Sequence, residues 1–568
     1  MRFLPLLFLL LAVCSFPEGK GAPKPLDWNP CLGKDAVVVL SGSLRFSRSA
    51  MHTWWHGLHH PRLSRPSPPI LGDDRDSIIL STPGHAAADL PPFEGPRSLR
   101  TALRIHSATP GRVHCEVFWK SGEDWTSLAK LELPGHEQGL PDAWFPLEAS
   151  LPPGNGQLEL VCRTPGPGGL RVRGPEVAWA HPVVVRKQAE PSLPDVLLVT
   201  VDTLRADGLL HAPQLSRILS RGAQWSDALS PSNWTLPAYA SLFSAQGPEI
   251  HGAGRGPFSP HPVSGPEVRG FRAVHPHLPL LAESFRRAGY ATAMFHQNPL
   301  LEAWTGLNRG FERYARCQDD TETGLEIAAD WWGREDDRPR FLVLHLMAPH
   351  LPYSPPAVEG LTDRLPEDPL AKLAWREFLA EDHTPDERRA FFDLEETDRQ
   401  LVRERYFAEI AALDARLGPW MESILTTSPE TLVAFHSDHG EELWDDGGFE
   451  HGHSFHESVV RVPLALVALG RLEAASIDHP VQAHDLAPTL LRVSGIPLPD
   501  GWTGDLFTPA EESSSTHPLF RTGTGGIRRI STVAESLPFS PTHSSKGPQP
   551  GLRPEEARAL AELGYSGG

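Results

Sequence analysis

Two apolar runs after Pro194 end on acidic residues. Val196-Leu197-Leu198-Val199-Thr200-Val201 closes on Asp202. Leu432-Val433-Ala434-Phe435-His436-Ser437 closes on Asp438, with His439, Gly440 and Glu441 next. A single Asp at a strand end is usually a turn former or a helix cap. Two carboxylates and an imidazole at neighbouring strand ends form an oxygen- and nitrogen-rich site for a divalent cation. Between the two runs, Thr235 stands just ahead of Pro237, a proline placed for the first turn of a helix. A hydroxyl there faces unpaired amide N–H groups and the positive end of the helix dipole, which favours an alkoxide and an anionic substrate. Judged on the local pattern alone, Thr235 is an N-cap. Asn233-Trp234-Thr235 also spells a glycosylation sequon, set aside because a glycan would block the pocket.

The elements that must position these residues follow from periodicity. Continuous apolar runs, including Phe341 to Met347, read as buried parallel strands covered by helices on both faces. Ile410, Leu413, Leu417, Trp420 and Ile424 step by three and four and predict a core-facing helix. Parallel strands joined by helices define a doubly wound α/β domain over 193–510, with its ligands at the carboxyl ends of the strands. Residues 357–400 read as an acidic helical insertion. Residues 35–188 alternate in short runs such as Ser98 to Ile105, Arg112 to Trp119 and Gln157 to Cys162, which predicts an all-β sandwich. His59 to Pro69 reads as a loop, Pro191 to Pro194 as a linker, and 511–568 as a C-terminal tail rich in Ser, Pro and Gly over its first part.

The chain has 568 residues and a formal net charge of −19. That charge argues against coating nucleic acid, since no basic field exists to displace counterions from phosphates. A small anionic substrate stays open, because a metal or a few Arg and His side chains can invert the field locally. Met1-Arg2 precedes an apolar run from Phe3 to Val13, too short to cross a bilayer, which takes about 20 residues. It predicts a signal peptide over 1–22 and export to a periplasmic or extracellular compartment. Cys14 is the alternative, as a lipid anchor, though Val13 fits a lipobox poorly. No later segment predicts a membrane span. An oxidising compartment allows one disulfide among Cys31, Cys115 and Cys162, with the pair left open.

Taken together, these segments resemble the sulfatase branch of the alkaline phosphatase superfamily. The matches run in family order across about 193–505. They are Asp195 to Asp207, Thr235-Leu236-Pro237 leading to Pro248-Glu249-Ile250-His251-Gly252, and Gly289 to Ala293. They continue with Pro349-His350-Leu351-Pro352-Tyr353, Ser437 to Glu442, Arg461-Val462-Pro463-Leu464 and Ala487 to Leu491. The resemblance implies Asp202, Asp438 and His439 as ligands of one divalent ion, with Ca, Mn, Mg and Zn not distinguished. A second Asp common in the family is Thr203 here, which implies a leaner site. The family nucleophile falls on Thr235. In sulfatases that position is a Cys or Ser converted to formylglycine within Cys-x-Pro-x-Arg, whereas this chain reads Thr235-Leu236-Pro237-Ala238-Tyr239. The methyl group on the Thr Cβ bars the same aldehyde, so the chain is similar to relatives that use an unmodified Thr, such as phosphoglycerol transferases and some phosphodiesterases.

Sulfatases usually set two lysines near the ester. This chain has eight lysines, and only Lys372 lies between Pro191 and Ser545. The resemblance puts His296 or Gln297, and His451 or His453, at those positions, and makes His350 the substrate-contacting histidine. His251 and His456 read as supporting residues. The expectation is an exported metal-dependent hydrolase or transferase acting on phosphate or phosphonate esters, carried on a small molecule, a glycan or a lipid. The rivals are a sulfate-ester hydrolase and a non-catalytic glycan-binding relative.

Overall fold

The computed structural model describes short stretches between residues 38 and 74, most of 77–186 and most of 193–508. The expected leader 1–22, Cys14, Cys31, residues 357–365 of the insertion and the tail 511–568 lie outside the described residues.

One ten-stranded sheet organises the larger part. Its five central strands lie in the order Arg313–Cys317, Ala291–His296, Arg340–Leu346, Val196–Val201 and Leu432–Ser437, and all run parallel. Arg461–Val467 follows, antiparallel to both Leu432–Ser437 and Ala223–Leu229. The expected doubly wound sheet is therefore parallel at its centre and mixed toward its edges. Alternate residues of each central strand enter different cores. Val196, Leu198, Phe341, Val343, Leu432 and Ala434 pack on one face. Leu197, Val199, Leu342, Leu344, Val433 and Phe435 pack on the other. Such strands are apolar on both sides because helices cover both. Thr235–Ser244, Leu281–Arg287 and Leu486–Val493 supply one layer. Pro213–Leu219, Thr321–Trp332 and Glu396–Thr427 supply the other. In the last of these, Ile410, Leu413, Leu417 and Ile424 are buried as the stripe predicts.

Before residue 190 the described strands form two antiparallel sheets of six and five strands. Leu99, Leu103, Val177 and Trp179 of one share a core with Ala88, Val117, Leu158 and Leu160 of the other. One strand departs from this arrangement. Ile70–Asp74 pairs antiparallel with Arg313–Cys317 and becomes the outer strand of the central sheet. The Arg100 guanidinium also meets Asp336 at 3.0 Å, so the two parts are joined by more than the linker. Among the described residues, no helix is long and apolar enough to cross a membrane.

The expected insertion contains the short helices Trp375–Leu379 and Pro385–Phe391 and the start of Glu396–Thr427. On that long helix, Glu409 is buried and accepts the Ser354 N–H, just past the His350 loop. Burial pushes its carboxyl up to about 8. A raised folded-state pKa stabilises the fold below the unfolded value of about 4.3 and loses that contribution as pH rises through the folded value. Glu409→Gln should therefore flatten the fall in melting temperature between about pH 4.5 and 8. Melts of both proteins across that range check this; parallel curves would show that Glu409 does not titrate in the window.

Candidate active site

Strand register brings the polar residues together. Val201 is level with Leu346 on one side and with Ser437 on the other, so Asp202, Met347 and Asp438 leave the sheet at one edge. This edge is the carboxyl end of the parallel strands, which is where open α/β sheets form their ligand crevice. Asp202 is turned inward by Thr203, a β-branched residue at φ +56°. That backbone is strained for Thr and persists only where its surroundings impose it. The surroundings are visible. Tyr406 donates its hydroxyl to the Thr203 carbonyl at 2.7 Å, Thr203 N–H donates to Asp438 Oδ1 at 3.3 Å, and Leu204 N–H donates to Ser437 Oγ at 3.0 Å.

Each carboxylate has one oxygen tied down and one left over. Asp202 Oδ2 accepts from Asn298 Nδ2 at 2.8 Å and from His345 Nε2 at 3.1 Å. The His345 tautomer follows, because its Nδ1 accepts the Gln297 N–H at 3.3 Å, leaving the proton on Nε2. Asp438 Oδ1 accepts from the His439 N–H at 2.9 Å as well as from Thr203. Asp202 Oδ1 and Asp438 Oδ2 are buried without a hydrogen-bond partner. They lie 3.6 and 3.4 Å from His439 Nε2. His439 Nδ1–H donates to the Gly440 carbonyl at 3.0 Å, so Nε2 carries the lone pair. Burial, then the neighbouring His451, pushes this imidazole down to about 3, so it is neutral.

Two orphaned carboxylate oxygens and a neutral imidazole nitrogen within 4.8 Å of one another fit a divalent cation. Without one, the pair cannot ionise fully. Burial and the charge of Asp202 push Asp438 well up. Asp202 stays below the usual range despite burial, because of the His345 hydrogen bond and the imidazoles of His350, His345 and His439.

Thr235 opens the helix Thr235–Ser244, and the cap position belongs to Trp234. The cap expectation from the local pattern is thereby corrected. The Thr235 hydroxyl is fully buried, 3.4 Å from His439 Nε2 and 3.3 Å from the Asn298 amide donor. Tyr239, at the position of the signature arginine, is buried beneath and pairs with the Thr200 hydroxyl.

Of the two candidate histidines after Glu450, His451 is the one against the cluster. Its ring lies 4.4 Å from that of His439 and 5.1 Å from that of His350. Its Nδ1 is 3.0 Å from Glu441 Oε1, and Tyr353 donates to the other Glu441 oxygen at 2.9 Å. His453 faces away, with Nε2 3.4 Å from Glu442 and Nδ1 donating to the His451 carbonyl. His350 keeps a buried Nε2 without a hydrogen-bond partner, while Nδ1 donates to the Leu351 carbonyl at 2.7 Å. His296 and Gln297 lie beside the site but turn elsewhere, to the Asn298 carbonyl and to the carbonyls of Gln318 and Asp320. The next residue, Asn298, is the one that enters. His251 is buried on Ser241 and His456 sits on Glu442, as supporting residues. Asn298 and His345 carry no sequence signal of their own. Glu441 stood in the Asp-His-Gly-Glu motif without a role.

The sequence model described as Sulfatase matches residues 194–496, more than half of the chain, and the protein belongs to the sulfatase family. A choline-sulfatase of Rhizobium meliloti (strain 1021) is 26% identical over 383 residues, spanning 55% of this chain and 70% of that one. An ulvan-active sulfatase of Formosa agariphila is 24% identical over 369 residues, 56% of this chain and 65% of its own length. Among solved structures, a phosphonate monoester hydrolase from Silicibacter pomeroyi aligns with 21% identity and a TM-score of 0.41, over 55% of this chain and 75% of that one.

Elemental analysis should find about one divalent equivalent in the purified wild type and a loss of it in an Asp438→Ala, His439→Ala double variant. Equal metal content in the two would remove the site.

Proposed function

We propose that the protein is a metal-dependent hydrolase or transferase that uses Thr235 as its nucleophile and prefers phosphate or phosphonate esters. The observation that carries this is the position of the Thr235 hydroxyl. It is buried at the start of a helix and lies 3.4 Å from the same His439 nitrogen on which the two unshared carboxylate oxygens converge. Asp202, Asp438 and His439 would hold one divalent ion, which would lower the hydroxyl pKa and offset charge developing on the substrate. Thr235 Oγ attacks the phosphorus; an Oγ–P bond forms as the bond to the leaving alcohol breaks. Water or an acceptor alcohol then cleaves the ester on Thr235. Asn298 orients the hydroxyl through its amide. His350 Nε2 and His451 border the same space; when protonated at Nε2, His350 positions the anion beside His451 and gives that proton to the leaving alcohol.

The preference rests on three features. Thr235 cannot become an aldehyde, Tyr239 replaces the signature arginine, and the catalytic region between Pro191 and Ser545 holds a single lysine, Lys372. A phosphate monoester carries more charge than a sulfate ester and gains more from a divalent cation at close range. The rival reading, a sulfate-ester hydrolase, is favoured by the names of the relatives. The orphaned oxygens of Asp202 and Asp438 count against a non-catalytic glycan binder. The wider proposal is an exported protein whose antiparallel sheets over 35–188 form a sandwich domain, tied to the catalytic sheet through Ile70–Asp74, and which acts on an ester carried by a glycan or a lipid.

Thr235→Ala should lower turnover by about 10³-fold or more with the thermal melt preserved. A variant that keeps its activity would remove Thr235 from the chemistry. With matched aryl esters on metal-loaded enzyme, kcat/KM should rank phosphate or phosphonate above sulfate. A clear sulfate preference, abolished by Thr235→Ala, would establish the rival.

A further inference from the structure

Outside the catalytic half, two thiols meet in the core of the antiparallel sheets. Cys115, on Val113–Ser121, and Cys162, on Gly156–Arg163, are directly opposed in the register of two adjacent central strands. Both are buried, and their sulfurs are 3.5 Å apart. Across the core, Trp179 of the facing sheet donates its indole N–H to Cys162 Sγ at 3.1 Å. Among the described residues no third ligand joins them, so the pair is not a metal site.

We propose that Cys115 and Cys162 form a disulfide that staples the centre of the five-stranded sheet. Directly opposed residues on antiparallel strands have Cβ atoms about 4.5–5.5 Å apart, and a disulfide spans about 3.5–4.5 Å, so a small approach of the strands closes the bond. The two S–H bonds break and one S–S bond forms. Two protons leave, and two electrons pass to a disulfide oxidant such as oxidised glutathione, which is reduced to two thiols. Its hydrogen bond with Cys162 and burial push the Cys115 thiol far up, which suppresses the thiolate in the folded chain. Both sulfurs are also closed off in the folded core, so the bond is made while the chain folds, and it is a fixed staple rather than a switch. The export proposed above places that step in an oxidising compartment, but the chemistry needs only the oxidant.

The test refolds the full chain from the reduced, denatured state in a glutathione redox buffer. The product is then denatured and alkylated without reductant, and its peptides are weighed. The expected result is a Cys115–Cys162 linked peptide and a melting temperature several degrees above that of the reduced chain. A Cys115→Ala, Cys162→Ala variant should melt identically with and without reductant. Alkylation of both cysteines after refolding, or linkage of either to Cys31 or Cys317, would overturn the proposal. None of these readouts depends on the export reading or on any esterase activity.

Discussion

Two carboxylates buried side by side, each with an oxygen that no donor satisfies, are the feature around which the catalytic half is built. At about 4 Å and an effective dielectric of about 20, two unit negative charges repel by roughly 4 kcal/mol. Removing both from water adds to that. Protein donors offset only part of the cost. Asn298 and His345 saturate one oxygen of Asp202, and two backbone N–H groups saturate one of Asp438. The remaining oxygens meet a neutral imidazole, which brings no charge. A divalent cation would offset the charge left on these two oxygens, beside the buried hydroxyl of Thr235.

The rest of the scaffold holds that spot under constraint. The parallel centre of the sheet delivers both aspartates to one edge in register. The strained Thr203 turns Asp202 inward, and Tyr406 of the long helix fixes that turn. Glu441 links the site outward, binding His451 on one oxygen and Tyr353 on the other. The insertion reaches the same region, because Arg388 of its Pro385–Phe391 helix pairs with Glu450, and Glu450 lies 3.4 Å from His451 Nε2. Residues that read as an appended acidic segment are thereby linked through Glu450 to His451.

The legible parts of the sequence were those set by local pattern. Apolar runs ending in Asp revealed the central strands and the edge where chemistry would gather. The three-and-four stripe from Ile410 to Ile424 marked the long helix, and alternation marked the antiparallel sheets. What stayed hidden depends on contacts between distant segments. His345 lies inside an apolar run and reads as core until Asp202 is placed beside it. Asn298 sits one residue past Gln297, and no periodicity singles it out. Ile70–Asp74, with a Gly and two Asp in five residues, has a weak strand pattern and pairs with a strand more than 200 residues later. The choice between His451 and His453 turns on Gly452, whose φ of +80° sends the two imidazoles to different sides. Glycine tolerates that backbone at little cost, and sequence spacing alone does not report its direction.

If Thr235 is the nucleophile, a covalent intermediate on its hydroxyl can be caught during turnover. Metal-loaded protein mixed with an aryl phosphonate ester would be quenched in acid during turnover and its peptides mapped by mass. The expected result is a phosphonyl adduct on the peptide carrying Thr235, at the hydroxyl itself, and no adduct in Thr235→Ala. Turnover that proceeds with no adduct on Thr235, or with one on another residue, would contradict it.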